Sequence, residues 1–296
     1  MKLAAAIQSM RIPFLVLTPA SVFLGASTAA ANHAAIQWHL LIPALIGGLL
    51  AHVSVNTLNE YLDFRSGLDL TTIRTPFSGG SGALPRNPEA AGLVLATGVA
   101  SLALTLLIGI YFVLIHGAGI IPIGLLGFVL VVTYTPWVNR YPLLCLVAPG
   151  TGFGFLMVVG TQYVMEGAYR PLAWLAGLVP FFLVNNLLLL NQYPDIHADA
   201  GAGRRHFPIA YGLQRSNLVY GGSLLLAALV VLLGVATGWF PSASLAALAP
   251  MAPAIFALYG AVSYGSDIGR HPVYLAANVV TAILTPVVLG VSFLLG

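Results

Sequence analysis

The sequence predicts an all-α, polytopic membrane protein with nine transmembrane helices. Three observations carry that expectation. Of 296 residues, 59% are hydrophobic and only 6% charged. Mean hydropathy is +0.95. Uncharged apolar runs long enough to cross a bilayer recur along the whole chain. A soluble fold of this size would have nowhere to bury so much apolar surface. The runs show no period-two alternation, which excludes a barrel, so helices must satisfy the backbone in lipid.

About 20 apolar residues cross a hydrocarbon core of about 30 Å. Segments of that kind fall at 12–31, 38–62, 90–115, 118–138, 142–164, 172–194, 216–237, 243–264 and 273–295. Only the second holds a charged residue, Glu60. The first has a rival reading as a signal peptide, because Lys2 and Arg11 precede it and "ASTAAANHAA" is rich in small residues. Removing it would leave eight helices with a less regular charge pattern. With the N-terminus inside, ten of the eleven Lys and Arg fall on cytoplasmic ends or loops and only Arg170 falls outside. The expectation is one transmembrane domain over 1–296, in a cell (inner) membrane, with the N-terminus and the active site cytoplasmic. The net charge of +3 follows from that topology and calls for no nucleic acid. The single Cys145 excludes an intramolecular disulfide and reads as a small packed residue.

Five of the eight acids (Glu60, Asp63, Asp69, Asp195 and Asp199) sit in two stretches at the ends of the second and sixth segments, "NTLNEYLDFRSGLD" and "NNLLLLNQYPDIHADAGAGRRH". Each contains Asn-x-x-x-Asp, as Asn59 with Asp63 and Asn191 with Asp195, and a further Asp downstream. Residues four apart share a helical face. A kink or break is expected at Pro194 and a turn at Gly67. Two facing carboxylate clusters in a low-dielectric cavity repel unless cations lie between them. Hard oxygen ligands suit Mg²⁺, which takes one or two carboxylates, waters and phosphate oxygens. Arg65 and Arg74 follow the first cluster, and Arg204 and Arg205 the second. Carboxylate-held Mg²⁺ beside guanidinium forks describes a diphosphate site. The bland alternative, polar anchoring of helix ends, leaves the pairing of the two stretches unexplained. It also leaves unexplained the polar face His52, Asn56, Asn59 and Asp63, which leads into the bilayer.

Three further features are weaker. "FSGGSGALP", residues 77–85, reads either as a flexible loop or as a lid whose glycines bring backbone amides to a substrate. Tyr274, Asn278, Thr281 and Thr285 on the ninth segment either line a chamber or hydrogen-bond between helices. "GTGFG", residues 150–154, reads as close helix packing, since it lacks the strand context of a nucleotide loop.

Taken together, "NTLNEYLDFRSGLD", "TPFSGGSGALP" and "NQYPDIHADAGAGRRH" resemble the UbiA superfamily of intramembrane prenyltransferases, most closely its 1,4-dihydroxy-2-naphthoate branch. "RIPFLVLTPASVFLG" and "YTP" with Arg140 support the likeness along the rest of the chain. The resemblance implies a helical bundle around a central cavity. It implies that Asn59, Asp63, Asp69, Asn191, Asp195 and Asp199 form the catalytic site, with the four aspartates holding Mg²⁺ against an isoprenyl diphosphate. Arg65, Arg74, Arg140, Arg204 and Arg205 would bind the diphosphate. Asn56, Ser78, Gly79, Gly80 and Ser81 would face an aromatic acceptor. Glu60 stands where the family has Asp, which implies an altered metal contact, and His206 stands where it has Thr. The sequence "YPLLCLVAPGTG" lacks the family's Gly-x-Gly-Glu, which leaves open a different aromatic acceptor. A secondary carrier is the competing class, since intramembrane carboxylates in two related halves also describe transporters. Nothing in the sequence addresses oligomeric state.

Overall fold

A computed structural model describes all residues, 1–296, and the chain is helical with no strand. Numbering only the spanning helices, these are α1 (Leu17–Ala31), α2 (Trp38–Ser66), α3 (Ala91–His116), α4 (Ile121–Thr133), α5 (Pro142–Glu166), α6 (Pro171–Asn191), α7 (Leu213–Ala236), α8 (Ala252–Tyr264) and α9 (Pro272–Leu295). Eight continuous helical runs are long and apolar enough to cross a membrane, and the Pro88–Thr133 run contains both α3 and α4. Those 46 residues would extend about 69 Å if straight, more than twice the hydrocarbon thickness. The run turns at Gly117, where φ is +74°. Beyond the turn, the Gly119 carbonyl accepts from Tyr169 Oη at 2.7 Å, while the far end of α4 brings Thr135 to Asn59 on α2. The run is therefore a hairpin, and eight candidate spans stand close to the nine segments read from the sequence, the difference being that these two limbs form one continuous run.

Local chemistry sets the helix ends. α2 stops at Gly67, whose left-handed φ of +82° lets its N–H reach the Phe64 carbonyl. α6 and α9 begin with proline at the first turn, where no intrahelical N–H is missed. α5 contains Pro149 and continues through a π-helical turn at Thr151–Met157.

α1 and α6 form the most enclosed part of the bundle, and Leu24, Val158, Ala176 and Val179 are wholly buried together. A Cβ on Gly154 would meet the Gly177 carbonyl at 2.5 Å, and one on Gly25 would meet the Val158 carbonyl at 2.4 Å. Close helix packing is thus the role of the "GTGFG" stretch, and it lets α5 seat tightly on α6. Before α1, a short helix Lys2–Ser9 packs Ala5 and Ala6 against Ala83, Leu84, Ala90 and Val94.

The ninth-helix polar face serves the packing. Asn278 accepts from Tyr220 Oη at 2.8 Å and donates to the Asn186 carbonyl at 3.1 Å, and Asn186 donates to the Tyr220 carbonyl at 2.8 Å. This closed ring ties α9 and α7 to α6, and none of Tyr274, Asn278, Thr281 or Thr285 lines the central cavity.

Candidate active site

The bundle encloses a cavity of about 850 Å³. At one end its wall is polar. His52, Asn56, Asn59 and Asp63 enter it from one face of α2, as their spacing requires, and Asn191, Asp195 and Asp199 enter from the end of α6 and beyond. α6 ends at Asn191, and the chain turns through Pro194 before the short helix Ile196–Gly201. That break brings Asp199 back to the cavity, and its N–H bonds the Asp195 carbonyl at 2.8 Å. Gly67 makes the equivalent turn that carries Asp69 to the wall.

Arg204 closes the ring between the two halves. Its guanidinium donates to Asp63 through Nη2 and to Asp199 through Nη1, the latter at 2.9 Å. His206 Nε2 lies 2.8 Å from the other Asp199 oxygen. For Asp63 and Asp199, one cation between the two acid clusters is thus supplied within the chain. Burial alone would lower the Arg204 pKa, but Asp63 and Asp199 outweigh it and hold the guanidinium more firmly protonated than usual.

The glycine-rich segment forms part of the wall through Phe77, Ser78, Gly79 and Gly80. The Gly79 N–H donates to Asp195 Oδ2 at 2.9 Å. Gly80, at φ +72°, sits so close to Asp69 that a Cβ there would lie 2.9 Å from Oδ1. Only glycine allows this approach. Ser81 turns away from the cavity toward Glu60.

The basic residues divide sharply. Arg204 lines the cavity, whereas Arg65, Arg74, Arg140 and Arg205 are exposed and stand outside its wall. Arg74 instead donates to the Asp69 carbonyl at 2.6 Å, and the Arg205 N–H to the Asn139 carbonyl at 2.9 Å. Arg11, which sequence reasoning treated only as a topological charge, does line the cavity. It occupies a left-handed turn with φ +54° before α1, and its Nε is buried without a partner. The available signal was its position as the last basic residue before the first span. Glu60 does not reach the cavity.

The donor set suits a hard cation. Asp69 Oδ2, Asp195 Oδ1 and Asn191 Oδ1 are buried acceptors with no hydrogen-bond partner. Burial raises Asp69 to about 7, assisted by Glu60 and Asp63, and raises Asp195 to about 7, assisted by Asp199. Both carboxylates are short of positive charge. No three acidic or imidazole groups converge on one point. That dispersed arrangement matches Mg²⁺, which keeps waters and phosphate oxygens in its shell, better than a closed all-protein cage.

Beyond the polar end the wall becomes apolar, lined by Leu102, Ile108, Phe112, Ile123, Phe128 and Leu156, among others, between α2, α3, α4 and α5. The cavity therefore joins a charged end to an apolar channel.

Comparison with known proteins agrees with this geometry. The sequence model of the UbiA prenyltransferase family matches residues 18–270. A 1,4-dihydroxy-2-naphthoate octaprenyltransferase of Haemophilus influenzae is 28% identical over 233 residues, 76% of this chain and 75% of the relative. One of Mycobacterium tuberculosis is 29% identical over 224 residues, 74% of each. Among solved structures, a UbiA homologue from Archaeoglobus fulgidus bound to GPP and Mg²⁺ superposes with a TM-score of 0.67 at 14% identity, covering 99% of this chain and 100% of that one.

Proposed function

Since the chain belongs to the UbiA prenyltransferase family, and so is a multi-pass membrane prenyltransferase, we propose that it transfers an isoprenyl chain from an allylic diphosphate to 1,4-dihydroxy-2-naphthoate, a step in menaquinone-type quinone biosynthesis. The acceptor rests on the activity for which its relatives are named. The observation that carries the reading is the single cavity in which both acid clusters and two arginines sit at one end of an apolar channel.

Asp63, Asp69, Asp195 and Asp199 would hold Mg²⁺, with Asn59 and Asn191 beside them. Bound there, Mg²⁺ supplies positive charge facing the donor diphosphate. Arg204 and Arg11 present guanidinium N–H groups to the same end of the cavity and would stabilise charge on the leaving oxygens as the C–O bond breaks. The diphosphate departs with the bonding electrons. The electron-rich ring then forms a C–C bond to the allylic carbon and recovers aromaticity as the carboxylate at the attacked carbon leaves as CO₂, its bonding pair returning to the ring. The apolar walls keep water from that carbon. Asn56, Ser78, Gly79 and Gly80 line the cavity and would border the acceptor. The distribution of basic residues supports an active site facing the cytoplasm.

The test incubates purified protein with geranyl or longer isoprenyl diphosphate, 1,4-dihydroxy-2-naphthoate and Mg²⁺, with and without EDTA, read by mass spectrometry. A prenylated naphthoquinol that disappears with EDTA is the expected result. Donor consumption without that product would refute the acceptor, and no consumption with any aromatic acceptor would refute the transfer itself.

A further inference from the structure

Glu60 follows Asn59 and precedes Asp63 by three residues, yet it faces away from the cavity and is wholly buried. Its carboxylate is occupied. Oε2 accepts from the Ser81 N–H at 2.9 Å, and Oε1 accepts from Ser81 Oγ at 2.5 Å and the Ala83 N–H at 3.3 Å. Arg11 Nη2 lies 3.7 Å from Oε2. The bonded segment is the one whose preceding residues form the cavity wall, with Gly79 on Asp195 and Gly80 against Asp69. Its outer side is held too, since Gln8 Nε2 donates to the Ser81 carbonyl at 2.9 Å. The glycines at 79, 80 and 82 all have positive φ, so little in the backbone itself fixes the path of this loop.

We propose that Glu60 is a positioning residue, not a metal ligand: it anchors the loop at Ser81 and Ala83, and thereby sets where Ser78, Gly79 and Gly80 stand in the wall that borders the acceptor. The geometry explains the choice of glutamate. A wholly buried carboxylate must be satisfied on both oxygens, and here the longer side chain reaches two amides and a hydroxyl on a separate segment. Arg11 couples the anchor to the polar end, because the same side chain that neighbours Glu60 also lines the cavity.

The kinetic part of the test rests on the prenyl-transfer reading, whereas the exchange part stands without it. Hydrogen exchange of the full chain in nanodiscs, with EDTA present, reads the Ser81 and Ala83 amides directly. In Glu60→Gln, one oxygen loses its acceptor function, and exchange across 79–84 should rise about tenfold. Ser81→Ala retains both amide bonds to Glu60, loses the Ser81 Oγ acceptor that the Ala83 N–H also uses at 3.1 Å, and should raise it less. In turnover assays, Glu60→Gln and Glu60→Asp should raise the acceptor KM while the Mg²⁺ concentration for half-maximal rate stays within about twofold of wild type. Unchanged exchange in Glu60→Gln overturns the anchor, whatever activity is found. An increase of about tenfold or more in the Mg²⁺ requirement with an unchanged acceptor KM also overturns it, and would make Glu60 a metal ligand.

Discussion

Replacing Arg204 with alanine removes the one side chain that bonds both halves of the acid site. The side chain is 18% exposed, so solvent screens it little. Two consequences follow from its bonds to Asp63 and Asp199. First, breaking a buried ion pair by removing one partner costs about 3–5 kcal/mol, and here two carboxylates lose their partner at once. Part of that loss is recovered if they take up protons, so a destabilisation near the lower end is expected without metal. Second, a donor aimed at developing anionic charge contributes about 10²–10³ in kcat. Arg204→Lys keeps the charge but loses the planar fork that spans two carboxylates, and it should fall between wild type and Arg204→Ala in both respects. The assay pairs thermal unfolding in nanodiscs, with EDTA or excess Mg²⁺, with steady-state kinetics over donor concentration. A kcat/KM for Arg204→Ala within about threefold of wild type would refute the placement of Arg204 beside the leaving diphosphate.

Other outcomes follow from the same geometry. Asp63→Ala and Asp195→Ala should each abolish turnover while the protein still inserts and folds, as measured by product formation beside size-exclusion behaviour in detergent. Asp69 and Asp195 titrate near 7 in the metal-free site, well above an ordinary carboxylate. The folded state therefore holds more protons than the unfolded chain between about pH 4 and 7, so stability in EDTA should fall as pH rises through that window. Mg²⁺ affinity should rise over the same range, because bound metal displaces those protons; thermal melts and Mg²⁺ titrations at pH 5–8 check both slopes. Gly109 lines the channel, and a Cβ there meets no atom within 4 Å. Gly109→Leu should fill channel volume at no cost in helix stability and lower the kcat/KM ratio of long-chain to geranyl diphosphate by about tenfold, at about 0.8 kcal/mol for each displaced CH₂.

Much of this site was legible in the sequence because its signals were local. Asn59 and Asp63, four apart on an uninterrupted helix, share a face wherever that helix sits. Gly67 and Pro194 announced the turns that bring Asp69 and Asp199 inward. The arginines were not legible by the same means. Arg65, Arg74, Arg140 and Arg205 all lie on or next to turns, where sequence distance from an acid says nothing about direction, and only Arg204 points inward. Arg11 reaches the cavity through a left-handed turn at a non-glycine residue, a conformation with no reliable sequence mark. Glu60 stands outside the cavity, away from the metal contact its position implies, for a related reason. It lies one residue from Asn59, which rotates it about 100° around α2, and its partners at 81 and 83 come from a loop whose path no periodicity specifies. Asn278 illustrates the remaining limit, since a polar helix face reads the same whether it borders a chamber or binds a neighbouring helix.

The turn between α3 and α4 has a consequence for the membrane as an insulator. A charged chamber opening into a bundle this deep would short-circuit the bilayer if it continued to the far side. At that side Phe112, Ile120, Tyr163, Val164 and Met165 close into a buried cluster, His116 stacks edge-on against Tyr163, and Tyr169 ties down the Gly119 carbonyl. Water or ions entering beside the aspartates would meet apolar and aromatic side chains there, a costly place for charge. Phe112, Ile120 and Val164 of this cluster also line the cavity, and a catalytic cycle that admits charged molecules beside the aspartates would leave these apolar side chains between them and the far face of the bilayer.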